Sequence, residues 1–307
     1  MKRFFAAAAI LLLAAGISSA QTLNEAADLF EQGRTAFSDG NKTGAVDFFK
    51  KALDMAAQLG EEGESLVSDC KQNISNIQYS IVTGMGGEGD YDGAIALLDE
   101  VVKTATEYGQ EEVVEQCKDL LPNLYAGKGK TLFEAENFEA AIEALGKALE
   151  LNPADANSAA RLGQAFTKLN RLAEAKDAYL KAQENGLNVS KPLGNTVLKL
   201  AQAALKEKKF GEAYNLAIES AGYAENASAY QIAGSAAQQG KKFKDAIAAY
   251  EKFIALKPDA PAQIKYNLAT CYKEAGNKAK AIEYYKMVTG DSKYGDNAKK
   301  LIQQLSQ

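Results

Sequence analysis

Histidine and tryptophan are absent from this 307-residue sequence, and cysteine and proline are scarce, with three and five copies. Without histidine, the chain cannot build a Ser-His-Asp or Cys-His catalytic centre, a histidine metal site or histidine acid–base chemistry. The glycine-rich fingerprints GxGxxG and GxxxxGK[ST] are also missing. No constellation of carboxylates, and no cysteine with suitable partners, gathers in the sequence. We therefore expect a protein without enzymatic activity, catalytic residues, cofactor or metal.

The three cysteines, Cys70, Cys117 and Cys271, are an odd set without a CxxC motif and do not form a disulfide framework. Cys70 and Cys117 occupy matching places in two similar segments, CKQNISNI and CKDLLPNL. Two interpretations stay open for this pair: small buried packing residues, or a disulfide between neighbouring segments.

The first twenty residues, MKRFFAAAAILLLAAGISSA, have the pattern of a secretory signal peptide. A basic start (Lys2, Arg3) precedes an apolar run, and Ser18 and Ala20 provide small residues for cleavage before Gln21. The apolar run is shorter than the ~18 residues of a membrane-spanning helix. We expect an exported chain, with the bacterial periplasm as its compartment; secretion fits the same signal.

From Gln21 onward, 33 Lys and Arg face 40 Asp and Glu, a net charge of −7. An acidic chain has no overall reason to bind nucleic acid or anionic lipid. No later stretch is apolar enough to predict a membrane span.

A recurring pattern dominates the rest of the chain. The segments NFEAAIEALGKALELNPADA (137–156) and KFKDAIAAYEKFIALKPDAP (242–261) are similar and lie 105 residues apart, which is three units of 35. An alanine after a short polar turn marks each copy, with steps of 49, 47, 34, 38, 33 and 35 residues. Seven such alanines occur: Ala45, Ala94, Ala141, Ala175, Ala213, Ala246 and Ala281.

The residues around these alanines follow helical spacing. Four and seven positions after each alanine lies a residue that is apolar in most copies, which places all three on one helix face. Twelve positions before it lies a residue that is Gly or Ala in six of seven copies, small enough for a second helix to cross closely. The pattern predicts seven units of helix, short turn and helix.

The chain resembles the tetratricopeptide repeat family at these positions. The residues that carry the resemblance are Gly129, Phe138, Ala141, Ala148 and Pro153; Leu162, Gly163, Phe166, Ala175, Tyr179 and Ala182; and Gly234, Phe243, Ala246, Tyr250 and Pro258. The resemblance covers nearly all of residues 24–290 and is strongest in repeats three, four and six. Repeat five departs from it, with Ala217 and Ser220 where larger residues are usual. The first two repeats are longer than the family's usual 34 residues.

The resemblance implies an all-α fold, a right-handed superhelical α-solenoid of about seven helix-turn-helix repeats closed by a C-terminal capping helix. We expect a signal peptide at 1–20, two long-helix repeats at 21–126, repeats three to seven at 122–290 and the capping helix at 291–307. Pro122 lies within a predicted long helix, which it could kink or split. The segment GMGGEGD (84–90) is predicted to be a flexible turn between helices, since it lacks the Lys-Ser/Thr pair of a phosphate loop.

In this family the first helices of the repeats line a concave groove. The inward positions of repeats three to seven form a polar row in which six cations face two anions, a net charge of about +4. The candidate binding residues are Asn123, Lys130, Asn157, Arg161, Gln164, Lys168, Asn195, Lys199, Gln202, Lys206, Gln231, Asn267 and Lys273.

Two interpretations of this row remain open. As a binding site, its cations and amides would hold an extended acidic segment or a chain-terminal carboxylate of a protein or peptide partner. The alternative is a solvated helical face that is polar in any case. The residue pattern of the family's carboxylate-gripping grooves is not reproduced, so that ligand is not carried over.

Two hypotheses for the whole protein follow. The first is an exported scaffold or adaptor that binds a partner in the cationic groove, without catalysis. The second is a structural unit of the cell envelope that assembles with copies of itself, for example through the long N-terminal helices, while its groove is passive.

Overall fold

The computed structural model describes the backbone of residues 2–307 and the side chains from residue 20 onward. The predicted signal peptide at 1–20 lies almost wholly outside the described side chains. Fifteen α-helices and one short 3-10 helix make up this part of the chain, and it contains no strand. None of the described helices has both the length and the apolar character that crossing a membrane requires. The all-α prediction is confirmed.

Residues 1–153 form one compact unit. Its helices pack in chain order, each against the next, and α3 also contacts α5. They are α1 (Lys2–Ser38), α2 (Lys42–Ala57), α3 (Glu64–Glu88), α4 (Tyr91–Glu107), α5 (Glu111–Glu134) and α6 (Phe138–Leu151), with a 3-10 turn at Gly60–Gly63.

Residues 154–307 form a second compact unit, again with each helix packed against its neighbour in the chain. Its helices are α7 (Ala156–Lys168), α8 (Leu172–Glu184), α9 (Ser190–Lys206), α10 (Phe210–Tyr223), α11 (Ala227–Gln239), α12 (Phe243–Leu256), α13 (Ala262–Glu274), α14 (Lys278–Lys286) and α15 (Gly295–Leu305). Odd-numbered helices up to α13 are the first helices of the repeats, and even-numbered ones are the second helices.

The recurring alanines form the core of every repeat. All seven are completely buried, and the residues four and seven positions after them are at most 4% exposed. Because an alanine side chain is small, the second helix can lie close to the first one at each of these points. The helical spacing read from the sequence therefore identifies the buried face of all seven second helices.

The small residues on the first helices allow an aromatic or leucine side chain to cross them. A Cβ atom added to Gly163 would lie 2.8 Å from the ring of Tyr179, and one added to Gly234 would lie 2.6 Å from the ring of Tyr250. In repeat three, a Cβ atom on Gly129 would lie 2.6 Å from Leu145. Each pair is separated by sixteen residues, so the same crossing recurs between the two helices of a repeat.

The seven turns inside the repeats share one backbone conformation. Five positions before each core alanine lies a residue with a positive φ angle, between 58° and 90°. Glycine adopts this left-handed conformation at low cost, and the chain uses it in repeats one, two and seven (Gly40, Gly89, Gly276). In repeats three to six the position holds Glu136, Asn170, Lys208 and Lys241, respectively.

The next residue is the N-cap of the second helix. In the three repeats with glycine, an Asn or Asp side chain accepts a hydrogen bond from the helix, as Asn41 does from the backbone N–H of Gly44 at 3.0 Å. In repeats five and six the N-cap is Lys209 or Lys242, neither of which accepts such a bond. Losing a cap costs ~1 kcal/mol, and a cation at a helix N-terminus is unfavourable because of the helix dipole.

Repeat five is closely packed despite its small residues. Ala217 of α10 lies in a cluster with Ala201, Ala233 and Ala249, which brings four helices together through alanines alone at its buried centre. Ser220 is fully buried, and its hydroxyl donates a hydrogen bond of 2.8 Å to the carbonyl of Gly194 in α9. The departure from the family pattern is thus a tight helix crossing.

The structure decides two predictions about the long helices α3 and α5. The predicted turn at 84–90 is wrong for most of its length, because Gly84–Glu88 continue α3 and only Gly89 is left-handed, with a φ of 90°. The glycines serve packing here, since a Cβ atom on Gly86 would lie 2.6 Å from Leu124. Pro122 does not split its helix, and α5 continues from Glu111 to Glu134.

The last helix covers the end of the second unit. Leu301, Ile302 and Leu305 of α15 pack against the buried cluster of the last two repeats. This confirms the expected capping helix, which a repeat array requires because its terminal unit would otherwise expose an apolar face.

The three cysteines are buried and free. The packing interpretation is therefore the one the structure supports, and Cys70 and Cys117 are not bonded to each other.

Candidate functional site

The predicted binding residues all lie on first helices. Asn123 and Lys130 are on α5 of the first unit, and the others are on α7, α9, α11 and α13 of the second unit. Ten of the thirteen side chains are exposed, while Arg161, Asn267 and Lys273 are half-buried. The row therefore lies at the surface, as any polar row would.

The structure draws several of these residues into local contacts. The Asn123 amide donates to the carbonyl of Asp119 at 3.1 Å, and Lys130 faces Glu134 at 3.9 Å. Lys273 forms an ion pair of 3.0 Å with Glu274. Arg161, Lys199 and Lys206 have no such contact among the described side chains and are the more available charges of the row.

A recess of about 430 Å³ in the second unit gathers three of the predicted residues. Asn195, Lys199 and Gln202 project from one face of α9 at spacings of four and three. The rest of the recess consists of hydroxyl-bearing and apolar side chains: Thr167, Tyr179, Pro192, Thr196 and Leu198. One cation, two amides and an apolar wall can bind a carboxylate, a peptide group and an aliphatic side chain together.

Charge distinguishes the first helices of the second unit from the second helices. Helices α7 and α9 carry five cations, at positions 161, 168, 191, 199 and 206, and no acidic residue. The second helices, α8, α10, α12 and α14, hold seven basic and eight acidic residues. Among the described side chains, Arg161, Lys199 and Lys206 have no carboxylate within ion-pair distance. The positive potential of this face is therefore not neutralised locally.

The hydroxyl groups of the core tyrosines were missed in the sequence, which indicated only packing for them. The ring of Tyr250 is buried, but its hydroxyl bonds to Gln238 at 2.9 Å and accepts from the predicted residue Asn267 at 3.4 Å. The hydroxyl of Tyr285 lies 3.0 Å from that of Thr270. In repeats six and seven, the tyrosine four positions after the core alanine thus connects the core to polar residues of the first helices.

Burial governs the ionisation of these tyrosines. It raises the pKa of Tyr285 to about 12, against a smaller lowering by the hydrogen bond to Thr270. Burial likewise raises the pKa of Tyr179, which the side chain of Thr167 lowers in part. The hydroxyls therefore remain neutral hydrogen-bonding groups at physiological pH. No group of three or more Cys, Asp or Glu residues within the described chain could hold a metal ion.

Comparisons with known proteins agree with the repeat pattern. The family model described as Tetratricopeptide repeat matches residues 127–186 and 230–295. The Hsp70/Hsp90 co-chaperone CNS1 of Saccharomyces cerevisiae is 34% identical over 84 residues, which are 27% of this chain and 22% of that protein. The chain thus spans about a fifth of the length of this relative.

Solved structures show similar arrangements at low identity. YrrB, described as a TPR protein with an unusual peptide-binding site, is 21% identical, with a TM-score of 0.40 over 62% of this chain and 97% of that one. The TPR2AB domain of yeast Sti1, in complex with pHSP90, is 17% identical, with a TM-score of 0.35 over 92% and 99%. The family model thus identifies tetratricopeptide repeats at residues 127–186 and 230–295, and the buried alanine register continues in the described residues outside those two ranges.

Proposed function

We propose that this protein is an exported, non-enzymatic scaffold that binds an extended acidic segment of a protein partner along α7 and α9. The observation that carries the proposal is the charge of these two helices, which hold five cations and no acidic residue. Net charge on a binding face attracts a partner of opposite sign and excludes one of the same sign. The similarity to a co-chaperone, a protein named for acting with Hsp70 and Hsp90, supports a role in protein binding.

The recess on α9 is the proposed centre of the site. Lys199 would pair with an acidic side chain or a terminal carboxylate, while Asn195 and Gln202 would bond to the peptide backbone beside it. Pro192 and Leu198 would contact an aliphatic group of the same segment. Arg161 and Lys206 extend the positive face to either side of this centre.

A peptide series tests the proposal. Three labelled twelve-residue peptides share a Gly/Ser framework and carry three Glu, three Gln or three Lys, and their binding is followed by fluorescence anisotropy. We expect the Glu peptide to bind at least about tenfold more tightly than the Gln peptide, and the Lys peptide not to bind. Equal binding of all three would refute the acidic-segment proposal.

A matched pair of triple variants locates the site. Arg161→Glu, Lys199→Glu and Lys206→Glu should abolish binding of the Glu peptide. Lys181→Glu, Lys252→Glu and Lys300→Glu change the net charge equally but lie outside α7 and α9, so binding should persist. All six side chains are at least partly exposed, and both variants should keep the helical circular dichroism signal. If both variants lose binding equally, the overall charge and not this face is responsible.

Export is part of the same proposal and has its own test. The chain produced with its first twenty residues should be recovered from the periplasm with a mass that corresponds to a start at Gln21. Recovery of the unprocessed chain from the cytoplasm would contradict export while leaving the binding proposal intact.

A further inference from the structure

The two units carry opposite charge. Residues 21–153 contain 10 Lys and Arg against 25 Asp and Glu, a net charge of −15. Residues 154–307 contain 23 Lys and Arg against 15 Asp and Glu, a net charge of +8. The modest overall charge of the chain therefore conceals an acidic unit and a basic unit.

The basic residues of the second unit concentrate at the turns inside repeats five, six and seven. We call the basic edge the set Lys206, Lys208, Lys209, Lys241, Lys242, Lys244 and Lys278, all of which are exposed. Among the described side chains, only Lys209 of this set has an ion pair, with Glu207 at 2.8 Å. Six lysines are thus available to an outside partner.

These turns lie side by side. A Cβ atom added to Gly240, next to Lys241, would lie 3.3 Å from the Cβ of Phe210, next to Lys209. Ala275, in the turn of repeat seven, lines one recess of about 440 Å³ together with residues 241–245. The basic edge is therefore one continuous surface. It shares Lys206 with the positive face proposed for the peptide, but it shares no residue with the recess on α9.

The lysine pairs occupy positions where lysine is locally unfavourable. Lys208 and Lys241 have φ angles of 62° and 58°, where repeats one, two and seven use glycine. Lys209 and Lys242 follow them at the N-cap, where the same three repeats use Asn or Asp. Lysine is thus unfavourable for the backbone conformation at the first position and for helix capping at the second. Such residues are expected where a surface serves function rather than stability.

We propose that the basic edge docks onto the acidic first unit of a second copy of this chain. The first unit is complementary in charge to the basic edge, and its acidic side chains are available to pair with lysine. Among the described side chains, no basic residue pairs with the exposed Glu61 and Glu62 in the turn before α3, or with Glu111 and Glu112 at the start of α5. Tyr108 packs into the same cluster as Leu66 and Val67, which brings these two turns together.

The geometry of the contact predicts its form. In each contact, the basic edge of one copy meets the first unit of another copy. The pair therefore still has one unoccupied first unit and one unoccupied basic edge. Such heterologous contacts produce open chains or rings rather than closed dimers. Exposed charges attract over a Debye length of ~8 Å at physiological salt, so association should be strongest at low ionic strength.

Analytical ultracentrifugation of the full chain tests the proposal. At 20 mM salt, the weight-average mass should rise with concentration beyond that of a dimer, and at 500 mM salt it should fall toward the monomer. A monomer at every concentration in low salt would overturn the proposal. So would a salt-independent mass, since that would indicate an apolar contact.

One variant with four substitutions separates loss of the contact from loss of the fold. Replacing Lys208 and Lys241 with Gly and Lys209 and Lys242 with Asn should raise the melting temperature and weaken association at least about tenfold. Because this variant is more stable, misfolding cannot explain its loss of association. If it associates as strongly as the parent chain, the basic edge is not the contact.

A charge exchange identifies the partner surface. Glu61→Lys, Glu62→Lys, Glu111→Lys and Glu112→Lys should abolish self-association of the full chain. The reciprocal variant, Lys208→Glu, Lys209→Glu, Lys241→Glu and Lys242→Glu, should behave in the same way. Mixing the two reversed chains should restore assemblies that contain both chains in equal numbers, because every contact again joins opposite charges. Absence of such mixed assemblies would refute docking between these two surfaces. Binding of the Glu peptide at α9 is measured on the same variants, so failure of this proposal is distinguishable from failure of the peptide site.

Discussion

Glycine has two opposite roles in the helices of this protein, and the residue beside each glycine determines which one applies. Gly234 lies under the ring of Tyr250, so an added Cβ atom would lie only 2.6 Å from that ring. Gly146, inside α6, has no neighbouring atom within 4 Å of such a Cβ. The first glycine is required for packing, whereas the second only weakens its helix.

Alanine substitution of these two glycines should change stability in opposite directions. Gly146→Ala should raise the free energy of unfolding by ~1 kcal/mol, because alanine favours the helix. Gly234→Ala should lower it by about 1–3 kcal/mol, because a fully buried ring must move to accommodate the methyl group. Urea denaturation followed by circular dichroism measures both variants. Stabilisation by Gly234→Ala would show that the crossing is looser than the structure indicates.

The buried cysteines predict a pH dependence of stability. Burial raises the pKa of Cys70 and Cys117 to about 11 and that of Cys271 to about 12, from an ordinary value of 9.0. The folded chain thus keeps these protons at a pH where the unfolded chain has lost them, and stability falls as the pH rises from 9 toward 11. The urea midpoint should therefore decrease between pH 8 and pH 10.5.

The cysteine contribution is isolated by a variant with alanine at positions 70, 117 and 271. Its midpoint should fall less steeply over the same pH range, because the thiols no longer contribute and only tyrosine and lysine side chains still titrate there. An identical slope in both proteins would mean that the thiols do not contribute. Ellman's reagent at pH 8 should detect no thiol in the folded parent chain and three after unfolding.

At the scale of elements, repeat five shows that departure from a family pattern can be a structural feature. Ala217 lies where the other repeats have Phe, Leu or Tyr, but it is fully buried in one cluster with Ala201, Ala233 and Ala249. Ala217→Leu, which moves the sequence toward the family, should therefore destabilise the protein by about 1–3 kcal/mol. Thermal unfolding of this variant is compared with that of Ala203→Leu at an exposed position of α9, which should be nearly neutral. Stabilisation by Ala217→Leu would instead support random drift in this repeat.

The helices could be predicted from the sequence because the same alanine pattern recurs in every repeat. The alanine register recurs seven times, so an error in one copy does not hide the period, and every one of these alanines is buried. The prediction of a turn at 84–90 is wrong because the sequence does not show that Gly86 lies inside α3, where it accommodates Leu124 of a neighbouring helix. A contact between distant residues cannot be read from local composition.

The candidate site was predictable only as a row of polar positions. The inward positions that the family resemblance implies identified an exposed row on α7 and α9 but not the recess, which also requires Tyr179 from α8. The tyrosine hydroxyls were missed since the ring and the hydroxyl of one residue occupy different environments. The basic edge was missed because polar residues are ordinary in turns, and the signal that reveals it is the comparison of each turn with its counterparts in the other repeats.

For the whole molecule, the unequal charge of the two units predicts unequal responses to salt. Repulsion among like charges destabilises a compact unit, and salt screens that repulsion. Residues 21–153 of the first unit, at −15, contain far more repulsion than the second unit, at +8. Raising the salt concentration should therefore stabilise the first unit more than the second.

Hydrogen exchange read by mass spectrometry resolves this difference, because peptides can be assigned to each unit. At submicromolar protein, where copies do not meet, amides in α2 to α5 should exchange more slowly in 500 mM than in 20 mM NaCl. Amides in α9 to α13 should change less. Replacing NaCl with an uncharged osmolyte at equal osmolality is the control, since it should affect both units alike. An equal effect of NaCl on both units would mean that their charges are balanced locally, and the acidic unit would then be a weaker acceptor for the basic edge than its net charge implies.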